Sequence, residues 1–476
     1  MRRAEPPRYR AAASTSTACA RNHWLLRLPT HLQSATGACA AGVSRQRNSQ
    51  RDRRSRRCRE LARERPLGRV TTCASALWLT TRAMSLLNRN LAMLMGAQLV
   101  GVSGTVAMVT LGGIVGQRLA PTPALATLPL SVHIVGTAAT TVGAAWLMSR
   151  IGRPRGFAVG ALIGSLGYLV AMAATGLASF GLFCVAVALV GAANAFALQY
   201  RFAAMENAPE GRESQAISLV LVGSLGGAIV GPALAAQGEH WIEGIPFGGA
   251  FLVVAASYVV VAGVLSRLSS RDLADDAAAE APRPLGVVVR QPLFLVAVLG
   301  GVAGFGVMTF VMTAAPLSMH VVDGHSMTAT AAVIQAHVLA MYLPSLVTGY
   351  LIGRLGIGRI MAIGALVLAL TLLAGFLGRE VMHYAAAMIA LGVGWNFLYI
   401  GGTALLGHSH RPSERFRAQA VNEFSVFGVS ACGSLGAGAV MHFAGWNGVL
   451  LAAALPIAMA LATLAAVRPG RRLACA

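Results

Sequence analysis

The sequence predicts an all-α membrane protein of twelve transmembrane helices, arranged as two six-helix halves with both termini in the cytoplasm. Three observations carry that prediction. Of 476 residues, 56% are hydrophobic and 12% charged, at a mean hydropathy of +0.65, whereas a soluble domain keeps about a quarter of its residues charged. Apolar runs of about 20 residues, enough to cross about 30 Å of hydrocarbon as helix, follow one another from residue 92 onward. One stretch also recurs 204 residues later: Leu147 opens LMSRIGRPRGFAVGAL and Leu351 opens LIGRLGIGRIMAIGAL.

Residues 1–83 stand apart. They hold 18 of the 38 arginines against four acids (Glu5, Asp52, Glu60, Glu64), and the whole sequence contains no lysine. The pI near 11.2 therefore describes this leader and does not point to nucleic acid as a partner. Its arginine-dense, aperiodic run is expected to be disordered. A targeting leader, a nucleic-acid or lipid-binding arm, and sequence upstream of a working start at Met84 are the three readings; the last accounts best for a hydrophobic protein beginning at MSLLNRNLAM. Arginine in place of lysine, with abundant Ala and Gly, matches GC-rich codon usage and so a bacterial inner (plasma) membrane. Of the seven cysteines, Cys19, Cys39, Cys58 and Cys73 lie in the leader, Cys184 and Cys432 in apolar runs and Cys475 at the tail, with no metal-binding or disulfide spacing.

From Met84 the expected spans are 92–114, 125–148, 156–177, 180–203, 215–237, 247–266, 291–313, 331–352, 358–377, 381–406, 418–441 and 446–467. Only helices or closed barrels satisfy their backbone in lipid, and continuous runs of this length mean helices. The breaks on the side of the termini carry 18 of the 20 arginines after residue 84; Arg118 and Arg379 lie on the other side. The positive-inside rule then places both termini in the cytoplasm. The expected organisation is a leader over 1–83, a six-helix half over 84–266, a polar linker over 267–290 and a second half over 291–476.

The 204-residue shift pairs Arg150 with Arg354, Gly152 with Gly356, Arg155 with Arg359 and Gly160 with Gly364. Parallel six-helix repeats joined by a polar linker are a transporter architecture, with the substrate near the midplane between the halves. With these residues the chain resembles the major facilitator superfamily of secondary transporters. That family's loop between helices 2 and 3 reads G-x-x-x-D-R-x-G-R-[RK]; here Ala145, Ser149, Arg150, Gly152, Arg153 and Pro154 stand in those places. The second copy keeps Gly349, Arg354 and Gly356, with Gly353 at the acidic position. The resemblance implies a cytoplasmic latch that here lacks both aspartates. Family exporters carry G-x-x-x-G-P-x-x-G-G in helix 5, and Gly227, Gly231 and Pro232 fit it while Ala235 and Ala236 replace the final pair. The helix-4 arginine of many proton-coupled drug exporters is Val187 here.

Ionisable residues inside a bilayer cost a few kcal/mol on insertion scales, so each needs a partner or a purpose. His133 and His337 lie 204 apart; they either couple protons to the outer gate, as histidine can near neutral pH, or bond neighbouring helices. Glu423 lies about one turn into the eleventh span, where the helix dipole favours a carboxylate, and acts either as a lock, meeting Arg150, or as a proton carrier, the lock being the favoured reading. Glu206 is expected to pair with Arg150 or Arg201, and Arg201 either holds an anionic substrate or anchors the span.

The family resemblance implies that spans 1, 4, 7 and 10 wall the cavity, which selects Gln98, then Asn194, Gln199 and Tyr200, then Phe305, Met308 and Phe310, then Trp395, Asn396 and Tyr399. Neutral amides beside aromatic and Met surfaces suit a flat or amphipathic organic solute. No enzyme motif, phosphate loop or clustered metal ligand is present in the sequence, so no catalytic residue, cofactor or metal is expected. The expected function is secondary transport by alternating access, read as proton-coupled efflux by a monomer, with proton-coupled uptake of a nutrient or vitamin-like compound as the alternative.

Overall fold

The structure is a computed structural model that describes residues 87–122, 125, 128–238, 241–269 and 281–467. The leader with its four cysteines, Met84, Arg271, Arg468, Arg471, Arg472 and Cys475 lie outside the described residues. Helices make up almost all of what is described: α1 (Arg89–Leu119), α2 (Leu128–Ile151), α3 (Arg153–Gly176), α4 (Phe180–Ala197), α5 (Tyr200–Glu206), α6 (Glu213–Gln237), α7 (Gly248–Leu265), α8 (Leu285–Val289), α9 (Pro292–Pro316), α10 (Met327–Tyr342), α11 (Ser345–Leu355), α12 (Ile357–Leu377), α13 (Val381–Gly407) and α14 (Arg415–Val467). Ten of the described helical segments are long and apolar enough to cross a membrane, and eleven when the helices on either side of Leu343–Pro344, bent by 41°, form one span. Leu166, Leu366, Leu370 and Leu373 on their outer faces are more than half exposed, as expected of side chains solvated by lipid.

Local chemistry sets the ends. Asn88 caps α1 by accepting from the Leu91 amide at 2.9 Å, and Ser179 and Ser326 cap α4 and α10 in the same way. Gly152 and Gly356, 204 residues apart, take φ of +80° and +88° between α2 and α3 and between α11 and α12. A side chain there would be strained, which explains why both copies of the repeat keep glycine.

The structure adds detail to three expected segments. The span foreseen at 180–203 is one apolar segment, Phe180–Glu206, with a turn at Leu198–Gln199 between α4 and α5. The span at 331–352 bends where Pro344 removes a backbone donor. The linker over 267–290 contains a short helix, α8. At the C-terminal end, Gly445 leaves the helical region (φ 62°, ψ −168°) and divides α14 near the boundary the sequence predicts.

Two large apolar cores hold the bundle. One gathers residues of α1–α7, among them Phe157, Tyr168, Phe183 and Phe251; the other gathers α9–α14 around Trp395, Tyr384 and Trp446, and also takes in Phe202, Met205, Ile217 and Leu221 from α5 and α6. The α1–α6 contact rests on Gly223, Gly227 and Gly231, four residues apart. A Cβ added to each would lie 2.3–2.7 Å from the carbonyls of Met95, Leu99 and Ser103, so only glycine permits this approach.

Candidate functional site

A small cavity opens where α4 breaks. It is lined by Gln98, Gly101 and Val102 of α1, Asn194 and Ala197 of α4, Leu198 and Arg201 at the break, Leu221 of α6 and Tyr399 of α13. One wall is polar. Gln98 Nε2 donates to Ser224 Oγ at 2.9 Å and Asn194 Nδ2 reaches Thr137 Oγ1 at 3.5 Å, so among the described residues each amide keeps its carbonyl oxygen and one N–H unspent. The facing wall is Tyr399, backed by an aromatic cluster that does not itself line the cavity. Tyr399 stacks on Trp395 (4.7 Å, 20°), and Phe305 meets Trp395, Tyr399 and Phe427 at centroid distances of 5.6, 5.5 and 4.6 Å. Tyr342 stands edge-on to Trp395 at 5.7 Å.

Behind Tyr399 lies a buried charge network. Arg201 donates from Nε to Thr403 Oγ1 (2.9 Å), from Nη1 to Leu198 O (3.0 Å) and to the Tyr399 hydroxyl, and from Nη2 to Glu423 Oε1 (2.5 Å). The Arg201 and Glu423 side chains are 3% and 0% exposed. Asn422 Nδ2 donates to the same carboxylate oxygen, and the guanidinium lies 4.2 Å over the Tyr399 ring. Breaking such a pair from one side leaves an uncompensated buried charge, at about 3–5 kcal/mol.

The expected partners are thereby reassigned. Glu423 meets Arg201 rather than Arg150. Glu206 meets Arg153 rather than Arg150 or Arg201: Arg153 grips it through Nε and Nη2 at 2.7 and 2.6 Å, and Nη2 also reaches Gln419 Oε1 at 2.9 Å. This second cluster ties the start of α3 to the start of α14, the place where the latch aspartate is Ser149, whose hydroxyl instead turns back to Trp146 O. Arg150 and Arg354 lie over aromatic rings of their own helices, Trp146 and Tyr350, at 5.4 and 4.6 Å. A third pair, Arg283 and Glu414, joins the linker to the turn before α14 at 2.6 Å. Neither Gln419 nor Thr403 is charged or rare, so no sequence signal singles them out. Gln419 does sit one helical turn before Glu423.

Not every expected wall residue faces the cavity: Phe305 and Trp395 stand behind Tyr399 and are not in its lining. Asn396 is fully buried and its amide is engaged: it accepts from Thr348 Oγ1 and donates to Met341 O and Ser345 Oγ, all at 2.7 Å. It thus satisfies the break that Pro344 makes between α10 and α11. Tyr200 packs edge-on against Phe157 at 4.9 Å, and Phe310 lies beside Gly433 of α14. Met308 is in the second core. Gln199 is buried at the α4–α5 break, with neither end of its amide bonded among the described residues.

The two histidines occupy related places. His337 of α10 bonds Met388 O in α13 through Nδ1 at 2.8 Å, while Nδ1 of His133 in α2 has no partner among the described residues. Each sits beside a glycine, Gly191 or Gly392, whose added Cβ would lie 2.3 or 2.8 Å from that histidine's own carbonyl. Gly231 belongs to the α1–α6 stripe, and Pro232 follows it within α6.

Comparison with known proteins agrees with this architecture. Residues 93–381 match the Major Facilitator Superfamily model. The chain is 41% identical over 361 residues to the riboflavin transporter RfnT of Brucella anthropi, covering 75% of this chain and 90% of that protein. It is 32% identical over 359 residues to the uncharacterized MFS-type transporter YdeG of Bacillus subtilis, covering 70% and 81%. Among solved structures, the MFS transporter FucP in its outward conformation superposes with a TM-score of 0.62 at 16% identity, covering 79% of this chain and 97% of that one. The human organic anion transporter MFSD10 superposes at 0.63 and 13%, covering 79% and 99%. The all-helical bundle of ten or eleven apolar spans, the internal repeat, the cavity between the repeats and these matches lead to one assignment: the chain is a member of the Major Facilitator Superfamily, a multi-pass membrane transporter of a small molecule.

Proposed function

We propose that this chain transports riboflavin, or a flavin of the same ring chemistry, into the cell across the plasma membrane by alternating access, driven by protons. The observation that carries the reading is the 41% identity across nine-tenths of a riboflavin transporter. The cavity is consistent with it. An isoalloxazine ring has a flat apolar face and one edge of alternating carbonyls and an imide N–H. Tyr399, held between Trp395 and the Arg201 guanidinium, offers that face an aromatic edge, and the amides of Gln98 and Asn194, each with one N–H and its carbonyl left over among the described residues, can both donate to and accept from the polar edge. In this reading α14 counts as two spans around Gly445, which gives twelve helices in two six-helix halves, 84–266 and 291–476, joined by 267–290, with both termini cytoplasmic. The arginine-rich ends carrying the Arg153–Glu206, Arg201–Glu423 and Arg283–Glu414 pairs then form the cytoplasmic gate.

Export is the second reading, favoured by Gly227, Gly231 and Pro232. Gly223, outside that motif, continues the same register against α1, so close packing explains the stripe in either direction. A riboflavin-auxotrophic bacterium lacking its own uptake system separates the two. Expression of the chain is expected to restore growth at low riboflavin, with accumulation that collapses when an uncoupler is added. Lower accumulation than in the empty strain would mean export. Unchanged growth and accumulation would remove riboflavin as the substrate.

A further inference from the structure

Resting on the flavin reading of the cavity, we infer that Glu423 is a specificity-determining residue: by neutralising Arg201 it makes the site accept the neutral vitamin and reject its phosphate ester. Among the described residues, Arg201 is the only permanently charged side chain lining the cavity. An arginine in such a place ordinarily marks recognition of an anion, because its planar fork of donors matches phosphate or carboxylate. Here the fork is occupied. Four of its five N–H groups are spent on Thr403, Leu198, Tyr399 and Glu423, which leaves one on Nη2. Its charge is balanced at 2.5 Å by a carboxylate with no exposure to solvent. What the cavity meets is the flat side of a neutral ion pair, stacked over Tyr399.

The remaining lining is amide, phenol and aliphatic. A phosphate dianion entering it would be stripped of water without gaining a cation, and would face the negative charge of Glu423 across the guanidinium. Desolvated like charges of this kind are strongly disfavoured. A ribityl chain ending in a hydroxyl meets no such penalty. Arg201 therefore holds α5, α13 and α14 together and shapes the Tyr399 wall, while Glu423 sets which form of the solute that wall admits.

The test is binding of riboflavin and of its 5′-phosphate ester to the purified full-length chain in lipid nanodiscs, read by quenching of flavin fluorescence. The expected result is that the wild-type chain binds the ester at least tenfold more weakly, on the order of one uncompensated charge interaction. Glu423→Gln keeps an acceptor for Nη2 but exposes the positive charge, and is expected to tighten the ester by about tenfold or more relative to wild type. Should that variant be too unstable to purify, Arg201→Gln combined with Glu423→Gln restores neutrality and is expected to leave discrimination against the ester as in wild type. A chain that binds the ester as well as riboflavin, and loses the ester in the double variant, would make Arg201 a phosphate ligand and overturn the inference. Glu423→Gln without any gain in ester binding would overturn it as well. Absence of riboflavin binding in wild type, with ester binding gained in Glu423→Gln, would dismiss the flavin reading and leave the charge assignment standing.

Discussion

The α2–α4 pair and the α10–α13 pair are assembled on one plan and then put to different use. In both, the first helix carries a buried histidine and a glycine of the second helix presses on that histidine's carbonyl. Val187 and Met388 are 201 residues apart, as are Gly191 and Gly392. The same register sets Asn194 opposite Trp395 and Leu198 opposite Tyr399. The packing contacts have stayed the same between the repeats, while the residues around the cavity have diverged. One side became an amide wall beside a broken helix, the other an aromatic wall on the unbroken 27-residue α13. A symmetric scaffold thereby yields an asymmetric site, which is what a ligand with one polar edge and one flat face requires.

The glycines give the largest expected effects. Gly191→Leu and Gly392→Leu each force a side chain into a neighbouring backbone, and both are expected to abolish recovery of folded protein, at a cost of about 3 kcal/mol or more. Gly191 is the more severe, since its Cβ would come to 2.3 Å rather than 2.8 Å from the facing carbonyl. Yield and monodispersity in detergent measure this, and one tolerant member would show that the two pairs are not held alike.

Next come the walls. Tyr399→Ala is expected to weaken riboflavin binding by about 2 kcal/mol, or roughly thirtyfold, as for other aromatic anchors. Tyr399→Phe should keep most of the affinity and Leu198→Ala should lower it only a few-fold. Equal losses at Tyr399 and Leu198 would remove the distinction between the walls.

The histidines follow. His133→Asn and His337→Asn are expected to lower the stability of the bundle by about 1 kcal/mol each, through the buried packing of both and the Met388 bond of His337, without altering the pH dependence of transport. A shifted pH profile in either would restore that histidine to proton coupling.

The smallest effects are expected at Arg150 and Arg354. Each rests on a ring of its own helix, a contact worth about 0.5–1 kcal/mol at an exposed site, so Arg150→Gln and Arg354→Gln should transport nearly as wild type. Arg153→Gln, which strands Glu206, should be far more damaging in the same uptake assay.

Much of this scaffold was legible in the sequence because the bilayer leaves a helix few options. Continuous apolar runs located the spans to within a few residues, and the 204-residue shift found Gly152 and Gly356, His133 and His337. What escaped was everything decided by contact across the repeats. Arg201 and Glu423 are 222 residues apart, and no local pattern reveals which acid faces which base. Asn396 reads as a cavity amide until the helix break at Leu343–Pro344 is seen to leave Met341 O open, which then claims it. The break at Leu198–Gln199 has no proline or glycine to announce it. It is visible only where the Leu198 carbonyl turns to Arg201.

The central claim is best tested by flux of radiolabelled riboflavin into proteoliposomes holding the full-length chain, with an imposed proton gradient. The account predicts saturable uptake that excess unlabelled riboflavin blocks, that the 5′-phosphate ester leaves largely untouched, and that falls sharply in Tyr399→Ala. Flux no greater than in empty liposomes, under any gradient, would contradict it.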